Sequence, residues 1–181
     1  DIVKALLIAD THFGSKYSVT PKWVTNISPE QRRINQKWEE MVQKVGHVDY
    51  LIANGDLVDG HGYWEQGGWA WEADIDKQAE AAAELFKQID FGKAKVTYGT
   101  AAHVGDNPVF DKLVADKIGA ESAWELNFQP QGLKSIFHIA HAIGVSTSVW
   151  HYRTTAIAKE LVAALLNEAE LHPYKGIIRS H

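Results

Sequence analysis

Five short apolar runs, at residues 3–9, 50–53, 94–98, 136–140 and 176–178, are each followed within a few residues by a side chain able to hold a metal ion. None of the runs is long enough for an independent helix, so each is read as a strand, with residues 122–126 as a sixth. The first run, which ends in Asp10-Thr11-His12, reads as a fully buried strand. Between the runs lie amphipathic stretches, and that alternation predicts an α/β fold.

The stretch SPEQRRINQKWEEMVQKVG carries a capping box, Ser28 with Gln31, and a proline at the first helical position. Ile34, Trp38, Met41, Val42 and Val45 then fall on one helical face. A second helix is predicted in DIDKQAEAAAELFKQIDFG, with Ile75, Ala79, Ala82, Ala83, Phe86 and Ile89 as its apolar stripe. A third, in DNPVFDKLVADKIG, starts with Asn107 as cap and ends at Gly119. The longest is expected over residues 154–171, stopped by His172-Pro173. Residues 59–72, rich in both glycine and tryptophan, break the alternation and read as a long loop. Its aromatic residues either plug onto the domain surface or form a functional rim or an oligomer contact.

With 181 residues and 45% hydrophobic content, the chain suits one domain with a substantial core. The net charge of −5, with acidic and basic residues interleaved, shows no surface built to neutralise a nucleic-acid backbone. There are no cysteines, which excludes disulfides, thiolate metal sites and a cysteine nucleophile. Any metal must therefore be held by His, Asp, Glu or Asn. No apolar run approaches the roughly 20 residues that span a bilayer, and no charged-then-apolar leader opens the chain, so a cytoplasmic protein without a membrane partner is expected.

The polar residues gather at the predicted strand ends. The first strand delivers Asp10 and His12, the second Asn54, Asp56 and Asp59, and the third Thr100, His103 and Asp106. His141 and His181 follow the last two. Ligands collect at the carboxyl ends of strands in open α/β sheets, so residues scattered along the chain can converge there. Taken singly, each is weak: an Asp after a strand is commonly a turn former or helix cap, a reading that suits Asp59 and Asp106. His47, His138 and His172 read as structural or surface residues.

Carboxylate and imidazole donors suit Mn, Fe, Zn or Ni, and one Asp has two oxygens with which to bridge two ions. Two such ions about 3.5–4 Å apart can share a hydroxide and clamp a phosphate, which favours hydrolysis over electron transfer.

Asp10-x-His12, Gly55-Asp56-x-x-Asp59, the loop from Gly99 to His103, His141 after a strand and the terminal Ser180-His181 resemble the calcineurin-like metallophosphoesterases. They stand in that family's order and at similar spacing across nearly the whole chain. The resemblance implies a four-layer α/β/β/α sandwich of mixed sheets with two divalent metal ions at the strand ends. Asp10 and His12 would hold the first ion, Asp56 would bridge both, and His141 and His181 would hold the second. It also implies hydrolysis of a phosphate mono- or diester by a metal-bridging hydroxide, with His103 assisting the leaving oxygen and Asp106 orienting His103.

The chain departs from the family's Gly-Asn-His-Asp/Glu motif. Thr100 stands where an Asn ligand to the second metal is expected, and two extra residues precede His103. A hydroxyl is a poorer ligand than an amide oxygen, so the second site is expected to be weaker or completed by water, and His103 keeps an alternative reading as a loop histidine with no role. Ser180 replaces the glycine of the family's Gly-His-x-His ending, and the missing His is expected two positions past residue 181, in a domain that continues further.

Asn54, Asp59 and His61 are further candidates to line the pocket from behind the ligands or to meet substrate, and His151 and Arg153 to meet a substrate phosphate. Nucleic-acid phosphodiesters, nucleotides and phosphoproteins all remain open as substrates; the tryptophan-rich loop could stack bases. The alternative from another class is a binding or scaffold protein that keeps the fold with weakened catalysis, motivated by the altered Gly99 to His103 loop.

Overall fold

The computed structural model describes residues 2–60, 70–100, 103, 109–141 and 174–180. A four-stranded sheet, entirely parallel, runs in the order β1 (Ala5–Ile8), β2 (Val48–Asn54), β3 (Phe91–Thr97) and β4 (Glu121–Ala123). The connecting helices are α1 (Pro29–Val45), α2 (Ile75–Phe86) and α3 (Val109–Ile118). Parallel neighbours in an order that never reverses, joined by crossovers of one hand, put every helix on the same face of the sheet. The side chains agree: Trp38 of α1, Ala82 and Phe86 of α2 and Val114 of α3 share one core with Leu51 and Ala53 of β2.

The opposite face of that sheet meets a second one. β5 (Glu125–Phe128) pairs antiparallel with β6 (Ile136–Ala140), and β6 pairs parallel with β7 (Tyr174–Ile178). Tyr50 and Ile52, alternate residues of β2, pack with Leu126, Phe128 and Ile139 of this sheet, and the Tyr50 and Phe128 rings meet edge to face at 4.9 Å. β2 is thus buried on both faces, which is why its run is apolar without alternation.

The capping box forms as expected: the Gln31 amide donates to the Ser28 hydroxyl at 3.1 Å, and the Ser28 amide donates to the Gln31 side chain at 3.0 Å. Asp74 caps α2 through the amides of Asp76 and Lys77. Two expectations need correction. Residues 122–126 are not one strand: the chain turns at Trp124, so that β4 completes the first sheet and β5 opens the second. And β1 is an edge strand among the described residues, not a fully buried one: Leu6 and Ile8 pack on the helical core while Leu7 is 43% exposed.

The helix expected over 154–171 and the Asn107 cap lie outside the described residues. So does most of the tryptophan-rich loop, although its returning end is anchored. Ala70 bridges to Ser15, and Trp71 donates from its amide to the Gly14 carbonyl and from its indole to the Ser18 hydroxyl. No helix among the described residues is long and apolar enough to cross a membrane.

Candidate metal centre

The chain past β1 runs beside the chain past β2. The amides of Asp10, His12 and Phe13 donate to the carbonyls of Gly55, Asp56 and Leu57 at 2.9–3.1 Å, and the Asp59 amide returns to the Phe13 carbonyl. This extension of the parallel pairing brings the two most specific motifs together. Asp10, His12 and Asp56 take φ of 54°, 43° and 51°, the left-handed region that side chains with a Cβ rarely adopt. They turn out of the strand direction towards a common point above the strand ends.

Two groups of donors meet there, and Asp56 belongs to both. Ligating atoms of Asp10, Asp56 and His141 lie within 4.8 Å of one another, and so do those of His12, Asp56 and His103. Asp56 and His141 are buried, whereas Asp10 and His12 are partly open to solvent. Side chains from after β1, β2, β3 and β6 therefore converge, as expected from the strand-end pattern.

The loop after β2 also orients the imidazoles. His141 Nδ1 lies 2.7 Å from the Asn54 carbonyl and His103 Nδ1 lies 2.9 Å from the Asp59 carbonyl. A carbonyl only accepts, so both rings carry a proton on Nδ1 and present Nε2 to the centre. His141 Nε2 then faces Asp56 Oδ2 at 3.0 Å, with Asp10 Oδ1 at 3.8 Å. Two acceptors at that distance need a cation between them, either a proton or a metal ion.

The pKa directions follow. Burial pushes the His141 imidazolium down, but the bonds to Asp56 and Asn54 and the charges of Asp56 and Asp10 outweigh it and hold the pKa above its ordinary value. Burial pushes Asp56 up, and the His141 bond, the Thr100 amide and the nearby imidazoles bring it below the usual carboxylate value. His12 is lowered, first by burial and then by His103, whose ring meets it edge to face at 4.3 Å. It is thereby kept neutral, the form a metal ligand requires. Burial raises Asp59, against the pull of His12 and His103.

Thr100 sits on Asp56: its amide donates to Oδ1 at 2.6 Å, and its hydroxyl lies 3.1 Å from Oδ2. That approach requires Gly99, since a Cβ there would stand 2.0 Å from Asp56 Oδ1. Asn54 is fully buried behind His141, whose Nδ1 faces its carbonyl. It accepts from the Thr97 hydroxyl and donates to the Ala140 carbonyl and to the Ser180 hydroxyl, which in turn donates to the Asn54 carbonyl at 2.9 Å. The carboxylate of Asp59 stands 3.8 Å from His12 Nδ1. Asp106, His61, His151, Arg153 and His181 lie outside the described residues, as does His172. His47 is an exposed partner of Asp90, and His138 pairs with Glu125 and Arg179, so neither joins the centre.

Two residues that the sequence reading passed over hold the loops. Gln78 takes the Gly60 amide at 3.0 Å and donates to the Gly60 carbonyl at 3.1 Å. Asp111 takes the Leu57 amide at 3.0 Å and the Gly99 amide at 2.8 Å. Each is a polar residue on the apolar stripe of its helix, Gln78 with Ala82 and Leu85, and Asp111 with Val114, Ala115 and Ile118. That misplacement was the available signal.

The class of molecule these observations define is an α/β protein with a carboxylate and imidazole cluster where the ends of two sheets meet. A scan of protein-family models and a comparison with curated proteins return no match to this sequence.

Proposed function

We propose that the protein is a metal-dependent hydrolase of phosphate mono- or diesters, of the kind its motifs resemble. The observation that carries this reading is Asp56: one buried carboxylate shared by two separate donor groups, in a chain with no thiolate to offer. The donors fit the group. The aspartates and Nε2-presenting histidines suit borderline divalent ions such as Mn, Fe, Zn or Ni, and the His141 and Asp56 pair demands positive charge between its facing atoms.

Asp10, Asp56 and His141 would hold one ion, and His12, Asp56 and His103 a second. When bound, such ions supply Lewis acidity that yields a nucleophile from water at neutral pH and offsets phosphate charge. The chain's own residues do the rest. Asp56 keeps the two groups in register, with Thr100 fixing its carboxylate. His103, its Nδ1 proton committed to the Asp59 carbonyl, has only Nε2 to offer, either to an ion or to hold a proton for the leaving oxygen. His141 Nε2, 3.0 Å from Asp56 Oδ2, would hold an ion only with its Nε2 proton removed. The four-layer architecture belongs to the same reading.

Elemental analysis after manganese loading, beside hydrolysis of p-nitrophenyl phosphate and bis-p-nitrophenyl phosphate, tests the reading. The expected result is near two equivalents of metal with measurable hydrolysis, and below one equivalent with at least a hundredfold less hydrolysis in Asp56→Asn. A wild-type protein that takes up no metal would overturn the proposal in favour of a binding or scaffold protein of the same fold.

A further inference from the structure

Asp111 is fully buried and, among the described residues, forms no ion pair with a Lys, Arg or His and no side-chain hydrogen bond to a proposed ligand. Each of its two oxygens nonetheless takes a backbone amide. Oδ1 takes the amide of Leu57, the residue after Asp56, and Oδ2 takes the amide of Gly99, the residue before Thr100. A single carboxylate therefore spans the loops after β2 and β3 at the height where Thr100 closes on Asp56.

We propose that Asp111 is a positioning residue of the metal centre, a strut that sets the distance between the loop carrying Asp56 and the loop carrying Thr100 and His103. The inference rests on the metal centre proposed above. The chemistry needs a carboxylate. Two convergent N–H donors call for two acceptor atoms on one rigid plane, which Asp supplies. Asn would turn an NH2 group towards one of the amides and release that loop. An alternative role in core packing alone is poorly served by this residue: a buried carboxylate without a cation partner is costly to desolvate, and Val114 and Ala115 beside it show what packing asks for at this helix face.

The strut acts through distance. With Gly99 held by Asp111, the Thr100 amide reaches Asp56 Oδ1 at 2.6 Å, and the short Thr100 to His103 turn carries the imidazole to the Asp59 carbonyl. Freed from Asp111, both loops gain room to part, and the shared donor set loosens without the loss of any ligand.

The test compares wild type, Asp111→Asn and Val114→Ala, the last a packing control on the same helix that leaves both oxygens in place. Mn2+ affinity is read by calorimetry, and amide hydrogen exchange at Leu57 and Gly99 is read on the metal-free protein. In Asp111→Asn, exchange at one or both amides is expected to quicken and Mn2+ affinity to fall at least tenfold. In Val114→Ala, affinity is expected to stay within about twofold of wild type even though thermal stability drops. Should Asp111→Asn not fold, Asp111→Ser, with a single hydroxyl at the same place, takes its part with the same expectation. Unchanged Mn2+ affinity in the Asp111 variant, or an equal loss in Val114→Ala, overturns the positioning role while leaving the metal centre standing. No Mn2+ uptake by the wild type overturns both.

Discussion

Asp10, His12 and Asp56 each occupy left-handed backbone that costs a residue with a Cβ about 1–2 kcal/mol, and each is a proposed ligand. Strain of this sort persists where the surroundings over-determine it, here through the amide-to-carbonyl pairing of residues 10–13 with 55–57. Ionisation shows the same preference of site over stability. Burial, only partly offset by the Gly99 and Leu57 amides, pushes Asp111 up to about 6. In an unfolded chain it would titrate near the ordinary carboxyl value. The folded protein therefore holds a proton that the unfolded chain lacks as pH rises from about 4 to 6, and the contribution of Asp111 to stability falls across that window by about 3 kcal/mol. The raised His141 acts with the same sign higher up: its stabilising proton is fully present below about 6.5 and is lost as pH rises through the folded value. Urea unfolding of the metal-free protein at pH 4 and pH 7 checks the first point. The stability of Asp111→Asn relative to wild type should rise by up to about 3 kcal/mol between the two, and an equal difference at both pH values refutes the shift.

The loop after β2 is the element on which the site is built. Residues 54–60 supply the shared carboxylate and two backbone carbonyls that settle imidazole tautomers, and the loop is held in turn by Asp111 at Leu57 and by Gln78 at Gly60. Its partner after β3 depends on one hydrogen at Gly99. In Gly99→Ala the new Cβ would stand 2.0 Å from Asp56 Oδ1 and 2.2 Å from its amide, so the carboxylate or the loop must move. Overpacking of this sort costs about 1–3 kcal/mol. Chemical denaturation should show that loss together with a fall in Mn2+ uptake below one equivalent. Retention of two equivalents would mean that Asp56 tolerates displacement. Much of this element was legible: Asn54, Asp56 and Asp59 stand out as polar residues at a strand end. The roles of the carbonyls were not, since every residue has one and only the approach of a distant imidazole distinguishes it.

Across the whole molecule, the two sheets are joined by an apolar layer and, at the site end, by a buried polar knot. The layer is centred on Tyr50, Ile52, Leu126, Phe128 and Ile139. In the knot, Asn54 of β2 ties Thr97 of β3 to Ala140 of β6 and to Ser180 beyond β7. Asn54→Ala leaves the Thr97 hydroxyl and the Ala140 carbonyl without that partner, and stability is expected to fall by about 1–3 kcal/mol. The loss should appear in urea unfolding with an unchanged denaturant slope. A smaller loss than that of Asn35→Ala, whose half-buried side chain bonds to Thr20, would deny the knot its role. The sheet assignment of residues 122–126 was invisible at this scale, because alternation cannot say that a chain changes sheets at Trp124.

By itself, the sequence determined the α/β alternation, the start of α1 through Ser28, and the donors Asp10, His12, Asp56 and His141 at strand ends. These are local properties, carried by period, cap and position relative to an apolar run. Only the tertiary structure decided that Asp56 is shared by two donor groups, that β1 is an edge among the described residues, and that Asp111 and Gln78 on helices hold the loops of a site to which they add no ligand. Each of these depends on pairing between segments far apart in the chain, and such pairing leaves no periodic trace within any one of them.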